Sequence, residues 1–312
     1  MRKQWPFSTQ IGKIMADSAK KYRQSLREIG SFYTDPKLAE CIKAEVECME
    51  EAYDPTCGIG NLLAVFPDDC RKYGQEIDES ALDVAKDRLA NFTGVLGNTL
   101  TSPAFMDRKF NTIVANYPFS VKWEPRTDER FSDLPTLPPP SKADWAFIAH
   151  CYHMLADGGT ASILCFPGAL YRGNREASIR EWFVKNNTVS KVVLFDGGYF
   201  EDTKISTELL VLKKGKKSDG IIFVDSRKRL EREVPVSEVV ENGSTLSVSM
   251  YVTSEPEPKE EINPWQLELQ CRHAMKEKLK NDIAQSQMVC AMEGWNLNSF
   301  LDELQSVIDG FR

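Results

Sequence analysis

The stretch that decides the fold is Tyr53-Asp54-Pro55-Thr56-Cys57-Gly58-Ile59-Gly60-Asn61-Leu62, an apolar strand followed by a glycine-rich loop and a helix-like pattern. The two glycines let the backbone turn tightly and let a ligand approach it closely. A loop that binds the pyrophosphate of a dinucleotide would need a third glycine at the position of Leu63. The stretch therefore predicts a nucleoside ligand without a pyrophosphate.

An acidic residue at the end of the second predicted strand supports this prediction. Glu76 lies sixteen residues after Gly60, in the segment Gly74-Gln75-Glu76-Ile77-Asp78. A carboxylate at this place can accept hydrogen bonds from both hydroxyls of a ribose. S-adenosylmethionine (SAM) is a nucleoside without phosphate and fits both features, so SAM is the cofactor that we predict.

Short apolar strands alternate with amphipathic helices from about residue 31 to residue 212. The predicted strands are Glu51–Tyr53, Tyr73–Ile77, Gly94–Leu96, Thr112–Ala115, Ala161–Phe166, Lys191–Phe195 and Leu209–Lys213, with a further one at Ile221–Val224. The predicted helices are 36–49, 61–70, 79–91, 142–155 and 174–186. This alternation is typical of an α/β fold, a Rossmann-like, mostly parallel twisted sheet with flanking helices.

The same pattern divides the chain into three predicted segments. Residues 1–29 are predicted to be a helical segment and residues 30–253 to be the α/β domain. The run Ser254-Glu-Pro-Glu-Pro-Lys259 is typical of a linker, so residues 254–312 are predicted to be a linker and a C-terminal helical extension. The extension is either a tail packed on the domain or an arm that binds a partner.

Composition limits the function classes. The chain has 312 residues, with 39 Lys and Arg against 46 Asp and Glu, so its net charge of −7 does not favour unaided binding to duplex DNA. Its eight cysteines form no CxxC pair, which favours reduced thiols in the cytoplasm over disulfides or a zinc site. No signal peptide and no stretch long enough for a membrane span are evident. His150 and His153 lie in an amphipathic pattern, and no metal site is predicted.

A second motif follows the apolar run that ends at Ala115. It reads Asn116-Tyr117-Pro118-Phe119. The Asn116 side-chain oxygen and the Tyr117 backbone carbonyl can each accept a hydrogen bond from the amino group of a base. Pro118 stiffens the turn, and Phe119 offers a ring for stacking. We interpret the motif as a site for a flipped-out adenine, although these four residues alone would also suit a strand that ends in a proline turn.

Together these motifs resemble the N6-adenine DNA methyltransferases, most of all the modification subunit of type I restriction-modification systems. The resemblance covers roughly residues 28–215. Its motifs, in order, are Gly30-Ser31-Phe32-Tyr33-Thr34, Asp54–Gly60, Gln75–Asp78, Asn116–Phe119, Ala143–Ile148, Leu155–Gly159, Phe166–Gly168, Arg180–Trp182, Phe195–Phe200 and Leu209–Lys213.

The resemblance implies a SAM-dependent methyltransferase fold and transfer of a methyl group to the exocyclic N6 of adenine in DNA. The implied catalytic residues are Asn116, Tyr117, Pro118 and Phe119. The implied cofactor contacts are Phe32, Tyr33, Thr34, Asp54, Thr56, Cys57, Gly58, Gly60, Asn61, Leu62, Glu76, Ile77, Asn98, Thr99 and Asn116. The implied partners are DNA and a specificity subunit. An RNA adenine methyltransferase and a non-catalytic SAM-binding scaffold subunit stay open as alternatives.

The chain departs from this family at four points. Asp35 precedes Pro36 where proline is usual, Asn98 replaces an aspartate that accepts from the cofactor's adenine, and Tyr117 replaces a proline. The amide oxygen of Asn98 can still accept, and any residue offers the backbone carbonyl needed at position 117. The family's long N-terminal helical domain has no counterpart, which suggests a different assembly such as a phage or orphan system.

The proline-rich loop, residues 121–141, directly follows the second motif. It carries Lys122, Trp123, Arg126 and Arg130, which we expect to contact nucleic acid. The alternative is a solvated surface loop.

Overall fold

The computed structural model of the protein describes residues 34–195, 207–253, 264–293 and 297–309. The predicted helical segment at residues 1–29, the predicted cofactor contacts Phe32 and Tyr33, and the linker motif at 254–259 lie outside these residues.

Nine strands of the described chain form one sheet. They are β1 (Glu51–Asp54), β2 (Arg71–Glu76), β3 (Phe92–Leu96), β4 (Phe110–Asn116), β5 (Leu155–Cys165), β6 (Val189–Leu194), β7 (Glu208–Lys213), β8 (Gly220–Asp225) and β9 (Leu230–Pro235). Their order across the sheet is β3-β2-β1-β4-β5-β7-β6-β8-β9. Neighbours are parallel except in the pairs that include β7 or β9. The predicted α/β class with a mostly parallel sheet is confirmed.

The helices of the described residues are α1 (Pro36–Lys43), α2 (Glu79–Arg88), α3 (Asp144–Met154), α4 (Pro167–Tyr171), α5 (Arg175–Lys185), α6 (Val236–Glu241), α7 (Val248–Tyr251), α8 (Pro264–Glu293) and α9 (Leu297–Asp309). Short 3-10 helices lie at Leu63–Val65 and Glu129–Phe131.

Two buried clusters cover the two faces of the sheet. Because successive side chains of a strand point to opposite faces, Ile113 and Ala115 of β4 lie in one cluster and Val114 lies in the other. The first cluster contains Trp145 and Phe183 from the helices on its side. Both faces are therefore covered, which explains why the central strands read as continuous apolar runs.

The predicted helix at 61–70 is wrong. The chain forms only the three-residue 3-10 turn Leu63–Val65 there, and Phe66 is extended with φ −82° and ψ 151°. Pro67 follows, and a proline disfavours helical geometry in the residue before it. The apolar residues Leu62, Leu63 and Phe66 of this irregular segment are buried in the core. Their helix-like spacing therefore reflects burial and not a helix.

The contacts of the chain divide it after Ser254 into two units. The second unit contains α8 and α9, and the predicted helical character of this region agrees with both. The described side chains of α8 are nearly all exposed, among them Trp265, Leu269 and Met275. No helix within the described residues has the length and apolar character needed to cross a membrane.

The sheet topology brings the predicted site residues to one edge. The strands β1, β2 and β4 are parallel and end at Asp54, Glu76 and Asn116. Strand β1 lies between β2 and β4, so the order of strands reverses beside it. A crevice at the carboxyl ends of the strands at such a reversal is the usual ligand position in open α/β sheets.

Candidate functional site

Glu76 joins the glycine loop to the end of β2. Its Oε2 accepts a hydrogen bond from the Gly58 N–H at 2.8 Å, and its Oε1 accepts from the N–H groups of Ile77 at 2.8 Å and Asp78 at 3.0 Å. Three backbone donors thus hold the carboxylate in one orientation. Each oxygen has two lone pairs, so Oε2 keeps acceptor capacity for a ribose hydroxyl.

The two glycines of the loop have different roles. Gly58 has φ +52°, and no protein atom within the described residues lies within 4 Å of the place that a Cβ would take. Gly60 has φ +83°, and a Cβ there would lie 2.6 Å from Cδ1 of Leu89. Gly58 therefore faces open space, as a ligand-binding position requires, whereas Gly60 allows the loop to pack on the protein.

Cys57, one of the implied cofactor contacts, packs against the ends of the neighbouring strands. Its N–H donates to the carbonyl of Gln75 at 3.0 Å, and its Sγ lies 2.7 Å from the place that a Cβ on Gly74 would take. Burial raises the pKa of the Cys57 thiol, and the nearby Asp54 and Glu76 carboxylates raise it further. A thiol with a raised pKa is a poor nucleophile, because the thiolate is the reactive form.

Asp54 is the buried carboxylate of the site, with 1% of its surface exposed. Its Oδ1 accepts from the Thr56 N–H at 2.9 Å. Burial raises its pKa to about 7, the hydrogen bond from the Thr56 N–H opposes that rise, and the charge of Glu76 adds to it. A carboxylate held in this way would gain from a cationic ligand beside it.

The other predicted contacts of the first loop differ in exposure. The Oγ1 of Thr56 is buried and has no hydrogen-bond partner among the described residues. Leu62 is buried in the core, and the Oδ1 of Asn61 accepts from Arg88. Ile77 is 59% exposed at the end of β2 and offers an apolar surface to a ligand.

The Asn98 turn, residues 98–101, lies beside the glycine loop. The Oδ1 of Asn98 accepts from the N–H groups of Leu100 at 2.9 Å and Thr101 at 3.4 Å. The hydroxyl of Thr99 donates to the Pro55 carbonyl, so it holds the two loops together. Their contacts with the cofactor stay a prediction.

Asn116 is joined to the start of α1. Its Nδ2 donates to the Oγ1 of Thr34 at 2.9 Å, across 82 residues of sequence. Its Oδ1 is buried and has no hydrogen-bond partner among the described residues. A buried acceptor costs free energy unless it is paired, so a ligand at the end of β4 that donates a hydrogen bond to this oxygen would be stabilised by it.

The side chain of Tyr117 belongs to the core. It is fully buried, and its ring stacks on Phe147 at a centroid distance of 5.2 Å and an interplanar angle of 12°. Phe119 packs edge-on against the Tyr117 ring at 5.6 Å and lies 6.5 Å from the Phe166 ring. The side chain of Tyr117 is therefore occupied in the core, and the contact of its backbone carbonyl with a base stays a prediction.

Two residues of the proline-rich loop contradict the expected contact with nucleic acid. Trp123 is buried, and its Nε1 donates to the Pro139 carbonyl at 3.0 Å. Arg130 is buried and paired with Asp128. Both side chains are occupied inside the protein, whereas Lys122 and Arg126 are exposed.

A polar pair that the sequence did not predict lies behind the site. The His150 Nε2 and the Tyr53 hydroxyl are 3.0 Å apart, and both residues are fully buried. Burial lowers the pKa of His150 well below its usual range, and the charge of Arg130 lowers it further. The partners lie 97 residues apart, so no local spacing could reveal them. Within the described residues no cluster of potential metal ligands is present.

The fold is shared with a methyltransferase of known structure. A crystal structure of the methyltransferase subunit of a type I restriction-modification system from Streptococcus thermophilus matches with a TM-score of 0.65 and 26% sequence identity. The match covers 71% of this chain and 59% of that chain. The predicted methyltransferase fold is confirmed.

Residues 13–243 match the N-6 DNA Methylase family, and this chain belongs to that family. It is 33% identical over 238 residues to the type I restriction enzyme MpnII methylase subunit of Mycoplasma pneumoniae, which covers 65% of this chain and 44% of the relative. It is 25% identical to the type I restriction enzyme MjaIX methylase subunit of Methanocaldococcus jannaschii, which covers 64% of this chain and 40% of the relative. The resemblance stated from the motifs is confirmed, and the chain spans about two fifths of the length of these relatives.

Proposed function

We propose that this protein transfers a methyl group from SAM to the exocyclic N6 of an adenine in DNA, as the methylase of a restriction-modification or related system. The observation that carries the proposal is the buried Oδ1 of Asn116, which has no partner among the described residues. It lies at the carboxyl end of β4, in a family of N-6 DNA methylases.

The residues suggest how the adenine amino group is activated. Its nitrogen is a poor nucleophile because its lone pair is delocalised into the ring. The Asn116 Oδ1 and the Tyr117 carbonyl would accept its two hydrogens, draw the nitrogen toward tetrahedral geometry and aim its lone pair. Bound SAM would supply the electrophilic methyl group for an in-line displacement.

The geometry of the first loop fits this cofactor. The Oε2 of Glu76 would accept from a ribose hydroxyl, and Gly58 leaves open space in front of the loop. The exposed side chain of Ile77 would contact the adenine ring of SAM. The buried Asp54 would balance part of the cofactor's positive charge.

The adenine would have to leave the duplex to reach Asn116, because the amino group is inaccessible within a stacked helix. Phe119, at the edge of the same turn, is the proposed stacking partner. The relatives are named as subunits of type I restriction enzymes, which supports assembly with further subunits, and we propose a specificity subunit as the partner.

The second unit, residues 255–312, is the proposed docking arm for that subunit. The large apolar side chains that α8 exposes support this, because exposed apolar patches often mark protein–protein contact sites. A chain that ends at Thr253 should lose the complex with its specificity subunit in co-purification. Retention of both the complex and the site specificity would contradict the proposal.

The decisive experiment is methyl transfer from labelled SAM to unmethylated duplex DNA, followed by nucleoside analysis. Wild-type protein in its native complex should yield N6-methyladenine, and Asn116→Ala should lower kcat by at least about 1,000-fold because it removes one acceptor of the reacting amino group. SAM affinity should change by less than about threefold, since the lost contact is to the target base.

Asn111→Ala is the matched control, because Asn111 occupies the opposite end of the same strand. It should retain wild-type transfer. Methyl incorporation into RNA but not into DNA would favour the alternative substrate. SAM binding without transfer to either polymer by the complex would favour a scaffold role and contradict the proposal.

A further inference from the structure

Arg130 is a cation buried in a loop that is otherwise rich in exposed charge. Its side chain is 1% exposed, although it belongs to the proline-rich loop. A buried guanidinium must find partners for its five N–H donors, because burial without them is costly. Where those partners lie therefore indicates what this arginine does.

Two of the partners are consecutive carbonyls of the Asn98 turn. The Nη1 of Arg130 donates to the Thr99 carbonyl at 2.7 Å, and its Nη2 donates to the Leu100 carbonyl at 2.8 Å. A planar guanidinium that binds two successive carbonyls fixes the orientation of both peptide groups. These peptide groups directly follow Asn98, which the family resemblance assigns to the adenine of the cofactor.

Other groups orient the arginine itself. Asp128 accepts from the Nε at 2.9 Å and from the Nη2 at 2.6 Å, which forms a bidentate pair. The Nδ1 of His150 lies 3.4 Å from the Nη1. Since a guanidinium can only donate, we assign Nδ1 as the acceptor and Nε2–H as the donor to Tyr53.

The same turn is tied to the glycine loop. The Thr99 hydroxyl donates to the Pro55 carbonyl, and Pro55 lies between Asp54 and Thr56. Arg130 therefore reaches the first loop through one intervening residue. A single buried cation holds the register between the two loops on which SAM would lie.

We infer that Arg130 is a positioning residue for the cofactor: it holds the Asn98 turn against the glycine loop so that both present their polar groups to SAM. The inference rests on the proposed function, because it supposes that SAM binds these loops. It also gives the proline-rich loop a role in cofactor binding, in place of the contact with nucleic acid expected for Arg130.

The test compares Arg130→Lys with Arg180→Lys in the full chain. Arg180 is also buried and donates to two backbone carbonyls, those of Ser244 and Arg172. Both variants should lower Tm. SAM Kd, measured by calorimetry, should rise about tenfold in Arg130→Lys, because one ammonium nitrogen with three donors cannot reproduce the bonds that Nε, Nη1 and Nη2 make, and should stay unchanged in Arg180→Lys.

Asp128→Asn provides a second measurement if Arg130→Lys does not fold. It keeps the hydrogen bonds from Arg130 to the turn but removes the charge that orients the guanidinium, so SAM Kd should rise about threefold. The kcat at saturating SAM should change less than Kd in both variants. Wild-type SAM affinity in Arg130→Lys, or equal weakening by Arg180→Lys, would overturn the inference. Absence of SAM binding by the wild type would overturn the proposed function as well.

Discussion

The two ends of the Asn116 amide have opposite surroundings. The nitrogen is paired with Thr34, and the oxygen is buried without a partner in the described chain. The contact with Thr34 restricts rotation of the side chain, so the oxygen is preorganised to accept from a ligand. Preorganisation matters because the residue then loses little entropy when the base arrives.

Asp54 carries a prediction on stability and pH. Its pKa is raised from 3.8 to about 7 in the folded protein. Between these values Asp54 binds more protons in the folded state than in the unfolded state, so the contribution of Asp54 to stability falls as pH rises from about 4 to about 7 and then levels off. Asp54→Asn has no carboxyl group to titrate at this position. Its free energy of unfolding should therefore exceed that of the wild type by an amount that grows across the same pH range to at most about 4 kcal/mol.

Urea unfolding between pH 4 and pH 8 measures the difference. Asp83→Asn is the control, since Asp83 is an exposed residue of α2 and should show no such trend. The same Asp54→Asn variant should bind SAM more weakly, because a neutral amide does not attract the cationic cofactor. A stability difference that does not vary with pH would contradict the pKa argument.

At the scale of elements, the glycine loop is constrained by its backbone conformation and by the space beside its glycines. Both glycines have a positive φ, which costs about 1 kcal/mol for an alanine. Gly60→Ala should lose additional stability, because its Cβ would press against Leu89. Gly58→Ala has no such neighbour, and its Cβ would instead enter the space proposed for SAM.

The prediction is therefore a difference between two like substitutions. Gly60→Ala should lower Tm more than Gly58→Ala, and Gly58→Ala should raise SAM Kd more than Gly60→Ala. Thermal unfolding and calorimetry of the two variants check this. The reverse order in SAM affinity would mean that the ligand approaches the loop elsewhere.

The departure at Asp35 has a local explanation. Asp35 is the N-cap of α1, and its Oδ1 accepts from the Lys37 N–H at 2.8 Å. Pro36 then occupies the first helical position, where the missing N–H costs nothing. The residue that interrupts the family pattern thus starts the helix, and it directly follows Thr34, the partner of Asn116.

The sequence predicted most strands because their apolar runs are buried on both faces. It missed β9, where only Val234 is buried, because an exposed strand of charged residues has no hydrophobic pattern to recognise. It also placed Arg130 at a surface. The partners of this arginine are backbone carbonyls of a distant turn. Because every residue carries a carbonyl, no residue type in the sequence marks these partners.

At the scale of the whole molecule, the buried clusters contain only residues of the first unit. The last residue of either cluster is Val252. A chain of residues 1–253 should therefore keep its fold, with a Tm within about 3 °C of the full chain, because it retains every residue of both buried clusters. Scanning calorimetry of both chains checks this prediction, and a loss of cooperative unfolding in the shorter chain would contradict it.

The strand β9 forms one edge of the sheet, and within the described residues it pairs only with β8. Three consecutive charged side chains, Glu231, Arg232 and Glu233, are exposed along it, and Pro235 ends it without an N–H to donate. Such an edge is a poor template for a strand from another molecule. An unprotected edge of this sheet could pair with the edge strand of another molecule. The charges and the proline of β9 oppose such pairing and thus self-aggregation.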